Sequence, residues 1–162
     1  MYQAAIIIIS DKGAAGLRED LSGPLIQSLL ERDGWTVSQT TTIPDSPEEI
    51  RDTLTKLCDE NGVDLIITSG GTGFAPRDNT PEATLAIADR VAPGVAEAFR
   101  LYSLEDTDKA MLSRGVCIIR KSTIILNLPG NPKSVHILEK VLGPLKHGSD
   151  ILQERTGEHQ DG

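Results

Sequence analysis

Aromatic side chains are scarce in this chain: two tyrosines, two phenylalanines and one tryptophan among 162 residues. A surface that reads bases by stacking needs more of them. Positive charge is short as well. Sixteen Lys and Arg stand against 24 Asp and Glu, a net charge of −8, whereas a nucleic-acid face presents a basic stripe, so no nucleic-acid partner is expected. Cysteine is limited to Cys58 and Cys117, without a CxxC or a paired histidine spacing, which reads as two reduced core thiols. Histidine comes late, at 136, 147 and 159, and a Ser–His or Cys–His nucleophile therefore lacks a base. The apolar run from Ala4 to Ile9 stops at Ser10, well short of the roughly 18 residues that a membrane span needs. No basic segment followed by a long apolar core opens the chain, so a cytoplasmic location with no membrane partner is expected.

What remains is the composition of one ordinary domain, 38% hydrophobic and 25% charged, with no internal repeat or linker. Residues 4–9 read as a buried strand. Leu25, Ile26, Leu29 and Leu30 recur at helical spacing over 22–33, with Gly34 as the stop. A threonine-rich strand over 35–43 follows. Ser46 to Glu49 is a capping box that opens a helix closing near Asn61-Gly62. A third strand covers 63–68. One helix starts at Pro81 behind Thr80 as its capping residue and breaks near Pro93, and another covers about 93–104. Strands at 116–120 and 123–128 are joined by Lys121-Ser122 as an antiparallel hairpin. A final helix carries Val135, Leu138, Val141 and Leu142 to about Leu145. This order predicts an α/β fold, a three-layer α/β/α sandwich whose mixed sheet is mostly parallel with a late antiparallel hairpin. The domain is expected over 1–147, with 148–162 as a polar, flexible C-terminal tail.

In such folds ligands collect beyond the carboxyl ends of the strands. Four turns belong there: Ser10-Asp11, Pro44-Asp45, Ser69 to Asp78, and Pro129 to Pro132. The third is the most informative. It runs Thr68-Ser-Gly-Gly-Thr-Gly-Phe-Ala-Pro-Arg-Asp-Asn-Thr-Pro-Glu82, a strand emptying through Gly70, Gly71 and Gly73 into a helix start at Thr80, Pro81 and Glu82. Unpaired amides at such a place suit a phosphate, although a tight turn alone also needs glycine. The loop is neither a Walker A nor a dinucleotide fingerprint. Asp78 sits where an anion would bind, a conflict that a bridging cation resolves. Asp45 and Asp78 are each good turn residues singly; together beside a phosphate loop they suit Mg²⁺. The turn at Pro129, Gly130, Asn131 and Pro132 exposes a second helix start, with Ser134 in its first turn. Lys121 and Lys133 are candidate counter-charges. Ser113-Arg114 has no role readable from pattern.

Taken together, Ile8 to Asp11, Ile43-Pro-Asp45, Gly70-Gly-Thr-Gly73 with Arg77-Asp78-x-Thr-Pro-Glu82, Leu112-Ser-Arg114 and Asn127 to Pro132 resemble the MogA-type molybdopterin adenylyltransferase family, which includes MoaB and the plant and gephyrin G domains. The resemblance covers about residues 4–147. It implies Mg²⁺-dependent transfer of adenylate from ATP to the terminal phosphate of molybdopterin, with pyrophosphate released. The product would pass to a molybdate-inserting protein. By position it makes Asp45 and Asp78 the catalytic, metal-associated acids and Gly70 to Gly73 (with Thr72) the nucleotide and pterin pocket. Ser113 and Asn127 handle molybdopterin on this reading, and Gly130 to Ser134 border the pocket. A homotrimer is implied too. Two alternatives stand beside it: a carrier that holds molybdopterin without using ATP, and a CinA-like pyrophosphatase. The CinA-type loop is typically Gly-Gly-Leu-Gly followed by two acids.

Overall fold

An unbroken apolar run has no face to turn towards water, and the strand it forms belongs inside a sheet. Residues 4–9 make up most of β1 (Tyr2–Ile9), which is paired on both sides. The computed structural model describes residues 1–155. Along them follow α1 (Asp11–Ala14), α2 (Ser22–Arg32), β2 (Trp35–Ile43) and α3 (Pro47–Lys56), the last extended by a π-helical turn to Asn61. Then come β3 (Leu65–Ser69), α4 (Thr80–Ala86), β4 (Arg90–Val91) and α5 (Pro93–Leu104). A 3₁₀ turn (Asp108–Leu112), β5 (Cys117–Arg120) and β6 (Thr123–Leu128) lead to a 3₁₀ run (Pro132–Lys140) and α6 (Leu142–Leu152).

The six strands lie in the order β2-β1-β3-β6-β5-β4. β2, β1, β3 and β6 are mutually parallel, whereas β5 runs antiparallel to both β6 and β4. Successive strand residues face opposite layers. Ala4, Ile6 and Ile8 therefore pack with Leu65, Ile67 and Leu126 against α2, α5 and α6. Ala5, Ile7 and Ile9 pack with Ile66 and Ile125 against α3 and α4. The three-layer sandwich and the antiparallel hairpin are as expected. Lys121 turns that hairpin with a φ of 51°, and Ser46 caps α3 by accepting the Glu49 N–H at 3.3 Å.

Four expectations need correction. Thr80 is not a cap: Asn79 holds that position without a side-chain bond, and the Thr80 hydroxyl donates to the Gly70 carbonyl at 3.0 Å. The helix after it ends at Ala86 rather than near Pro93, and β4, too short to show periodicity, adds a sixth strand. The last predicted helix is two elements, because residues 132–140 wind more tightly than the residues after them. Finally, 148–155 is not a loose tail. α6 continues to Leu152, and Arg155 pairs at 2.9 Å with Asp64, a buried carboxylate at the start of β3 that also accepts the Gln3 N–H at 2.8 Å. A buried charge needs such a partner, and this anchor leaves no hydrophobic periodicity to read. The rest of the expected tail, with His159, lies outside the described residues. Among those described, no helix is long and apolar enough to cross a membrane.

Candidate active site

Parallel pairing aims the carboxyl ends of β1, β2, β3 and β6 the same way. The loops leaving them enclose a cavity of about 550 Å³, the size of a small-molecule site. Asp45 and Asp78 both line it, 33 residues apart in the chain. Ser10 and Gly70 to Gly73 line it beside them. So do Ser113, Pro129, Gly130, Asn131 and Ser134. The four predicted turns thus meet at one crevice.

Each acid has one oxygen committed to a backbone amide. Asp45 Oδ2 accepts the Asp11 N–H at 2.9 Å, and Asp11 Oδ1 accepts the Asp45 N–H at 3.0 Å. This reciprocal pair ties the loop after β1 to the loop after β2. Asp78 Oδ2 accepts the Ala75 N–H at 3.0 Å, closing the turn it belongs to. Among the described residues, the other oxygen of each accepts no hydrogen bond. Burial pushes the Asp45 carboxyl above the ordinary range, and the negative charges of Asp11 and Asp78 push the same way against the Asp11 amide. Asp11 goes the other way, held low chiefly by its hydrogen bond to Arg77, which it meets at 2.6 and 2.9 Å. A half-buried acid crowded by like charge is a natural seat for a cation. No three His, Cys, Asp or Glu side chains form a metal cage among the described residues. Mg²⁺ does not require one when phosphates complete its shell, and two carboxylates lining one cavity, each with an oxygen uncommitted, fit that use.

Glycine is required where the loop turns. Gly70 has a φ of 108°, and a Cβ there would stand 2.2 Å from the Ile9 carbonyl; Gly71 has a φ of 70° and would strike the Thr80 hydroxyl. The loop is then held from outside by Arg114, for which the sequence offered no role. Its N–H donates to the Thr72 carbonyl at 2.8 Å, its Nε to Gly73 at 2.9 Å and its Nη2 to Asp78 at 2.7 Å. Glu82 balances its charge at Nη1.

Six expected site residues do not line the cavity. Asp11 is occupied with Arg77 and Asp45, and Glu82 with Arg114. Thr80 and Pro81 are buried in the first turn of α4, and Pro132 opens the 3₁₀ run. Asn127 is also buried: its Nδ2 donates to Thr68 and Thr84 hydroxyls at 2.9 and 3.1 Å, and its Oδ1 accepts the Val116 N–H. It ties β3, α4 and β6 beneath the glycine loop. Neither lysine considered as a counter-charge lines the cavity; Lys121 pairs with Asp59 at 3.3 Å. The cations that do line it are Arg18, Arg100 and Lys109, on segments whose approach to the rim no local pattern announced. Hydroxyls at Ser22, Ser103 and Thr107 join them. His136 and His147 do not, and both cysteines are buried, with burial pushing the thiols up to about 11 for Cys58 and about 12 for Cys117.

A mostly parallel sheet with paired acids and a glycine-rich loop at its carboxyl edge is the arrangement that suits small phosphorylated ligands. The chain belongs to the family described as a probable molybdopterin binding domain, which matches residues 5–147. It is similar to a molybdopterin adenylyltransferase of Haemophilus influenzae, 44% identical over 138 residues, covering 83% of this chain and 70% of that protein. It is also similar to one from Helicobacter pylori, 38% identical over 150 residues, covering 91% and 85%. Among solved structures, the molybdopterin biosynthesis enzyme MoaB of Thermus thermophilus matches with a TM-score of 0.89 at 44% identity, covering 94% of this chain and 96% of that one.

Proposed function

We propose that this protein adenylylates molybdopterin with ATP as a step of molybdenum cofactor biosynthesis. The observation that carries the reading is that Asp45 and Asp78 line one cavity with the glycine loop, in a chain 44% identical to a molybdopterin adenylyltransferase. An oxygen of the molybdopterin phosphate forms the new bond to the α-phosphorus of ATP. The bond from that phosphorus to the β-bridging oxygen breaks, and pyrophosphate takes the electron pair. The nucleophile belongs to the substrate, which suits a cavity that no described histidine or cysteine lines. Two anions must meet, so the protein's work is positioning and charge neutralisation.

The free oxygens of Asp45 and Asp78 would hold Mg²⁺, which supplies positive charge to the triphosphate. The Gly70–Gly73 loop brings backbone close to the phosphates. Arg114 keeps that loop and the Asp78 backbone in register, and Asp11 does the same for Asp45. Transfer of the product to a molybdate-inserting protein, and assembly as a homotrimer, belong to the same proposal.

Incubation with ATP, Mg²⁺ and molybdopterin tests it. Pyrophosphate should appear only when the pterin is present, with adenylyl-molybdopterin in equal amount. Molybdopterin binding without pyrophosphate would make the chain a carrier, and pterin-independent hydrolysis of ATP a pyrophosphatase.

A further inference from the structure

The two acids, through a metal ion, answer the charge of one substrate and leave that of the other. A metal ion can escort a triphosphate to Asp45 and Asp78. The phosphate monoester that must approach it carries close to two negative charges and has no such escort. It needs fixed cations of the protein.

Arg100, half-buried on α5, lines the cavity. Its Nη1 donates to the carbonyls of Ser113 and Gly115 at 3.3 and 2.7 Å. Those partners are neutral and occupy both hydrogens of that nitrogen. Among the described residues, Nε and Nη2 donate to nothing and no carboxylate pairs with the guanidinium. A guanidinium fixed at one corner, with three N–H groups and its whole charge unused, is a pre-organised fork for phosphate. Lys109, on the 3₁₀ turn packed against α5, lines the same cavity and, among the described residues, makes no ion pair. Ser113 lines it as well.

We infer that Arg100 and Lys109, with Ser113, form a seat for the phosphate monoester of the acceptor substrate, separate from the two acids. The inference rests on the adenylyl-transfer reading for the identity of that monoester. Its placement suits the reaction. Ser113 and Arg114 are consecutive; the first is held by Arg100, while the second grips the glycine loop and the Asp78 carbonyl. One strap of three residues, 113 to 115, therefore bonds both to Arg100 of the seat and to the loop that carries the metal-associated acid.

Calorimetric titration of the intact protein separates the two sites, with molybdopterin, its dephosphorylated form, and ATP with Mg²⁺ as three probes. Arg100→Ala should weaken molybdopterin binding about tenfold or more, and ATP binding less than about twofold. Dephosphorylated pterin should bind the variant as it binds the parent. Arg100→Lys should fall between, since it keeps the charge and loses the fork. Arg100 also braces the strap, so Lys109→Ala provides an arm without a hydrogen bond at stake; a smaller loss confined to molybdopterin is expected. Loss of ATP affinity with molybdopterin unaffected would overturn the inference by giving the seat to the triphosphate. Equal losses for all three probes, with no effect of Lys109→Ala, would reduce Arg100 to a brace. Phosphate-selective pterin binding without pyrophosphate release would leave the seat standing and sink only the transfer reaction.

Discussion

At the amino end of the sheet, Asp64 is buried and both its oxygens are engaged, one by the Gln3 N–H and the other by Arg155. Arg155 also reaches Asp150 at 3.6 Å and lies over the Tyr2 ring, closing that end with α6. At the carboxyl end, Asp45 is half-buried with one oxygen used, and no cation among the described residues pairs with it. The residue types match and the bookkeeping of partners does not. A carboxylate with both oxygens bonded and its charge paired belongs to the fold; one left half-bonded and unpaired in a crevice, with its pKa raised by burial, has been held for something else.

Four substitutions probe that contrast. The largest effect is expected for Asp78→Asn, which should cut turnover by about a thousandfold while molybdopterin binding stays near the parent value. Loss of pterin binding with turnover per bound molecule unchanged would break the comparison on its functional side. Next is Arg155→Ala, expected to cost about 3 kcal/mol in denaturant unfolding by stranding the Asp64 charge, with kcat preserved in the surviving fold. Arg114→Ala should lower kcat by about tenfold and leave the pterin affinity largely intact, because it positions Asp78 from behind.

The smallest effect is on stability, in the pH dependence that Asp45→Asn should remove. The folded-state pKa of Asp45 is raised, so its ionised form disfavours the fold at neutral pH, and that penalty fades as pH falls through the raised value towards 3.8. Asp45→Asn should therefore give a small gain in Tm at pH 7 that shrinks near pH 4, together with lost turnover. Calorimetric scans at both pH values check it; a loss of stability at pH 7 would place Asp45 with Asp64 among the structural acids.

Most of this architecture was legible because it is written in local repeats. The apolar run at 4–9, the helical spacing of Ile26, Leu29 and Leu30, and the Ser46 cap each declare an element within a few residues. Local rules also explain the failures. Thr80 in front of Pro81 satisfies every condition for a cap, yet tertiary packing turns its hydroxyl to the Gly70 carbonyl. The anchoring of 148–155 depends on an ion pair between residues 91 apart. The acids of the site were found because each follows a strand and precedes a helix. Arg100 was not, because a mid-helix arginine looks the same whether it faces water or a cavity. Asn127 sits inside a strong sequence motif, but its buried bonds to the Thr68 and Thr84 hydroxyls join residues too far apart in the chain for any local pattern to show.

Cys58 and Cys117 belong to different layers of the sandwich, the first packed with α3 and α4, the second on the face covered by α2, α5 and α6. Both are shielded, and their thiols are poorly ionised at neutral pH. A thiol-alkylating reagent must therefore wait for each side to breathe. The molecule carries a stopwatch in each half, and comparing the two labelling rates with and without ligand would reveal which layer a bound substrate tightens.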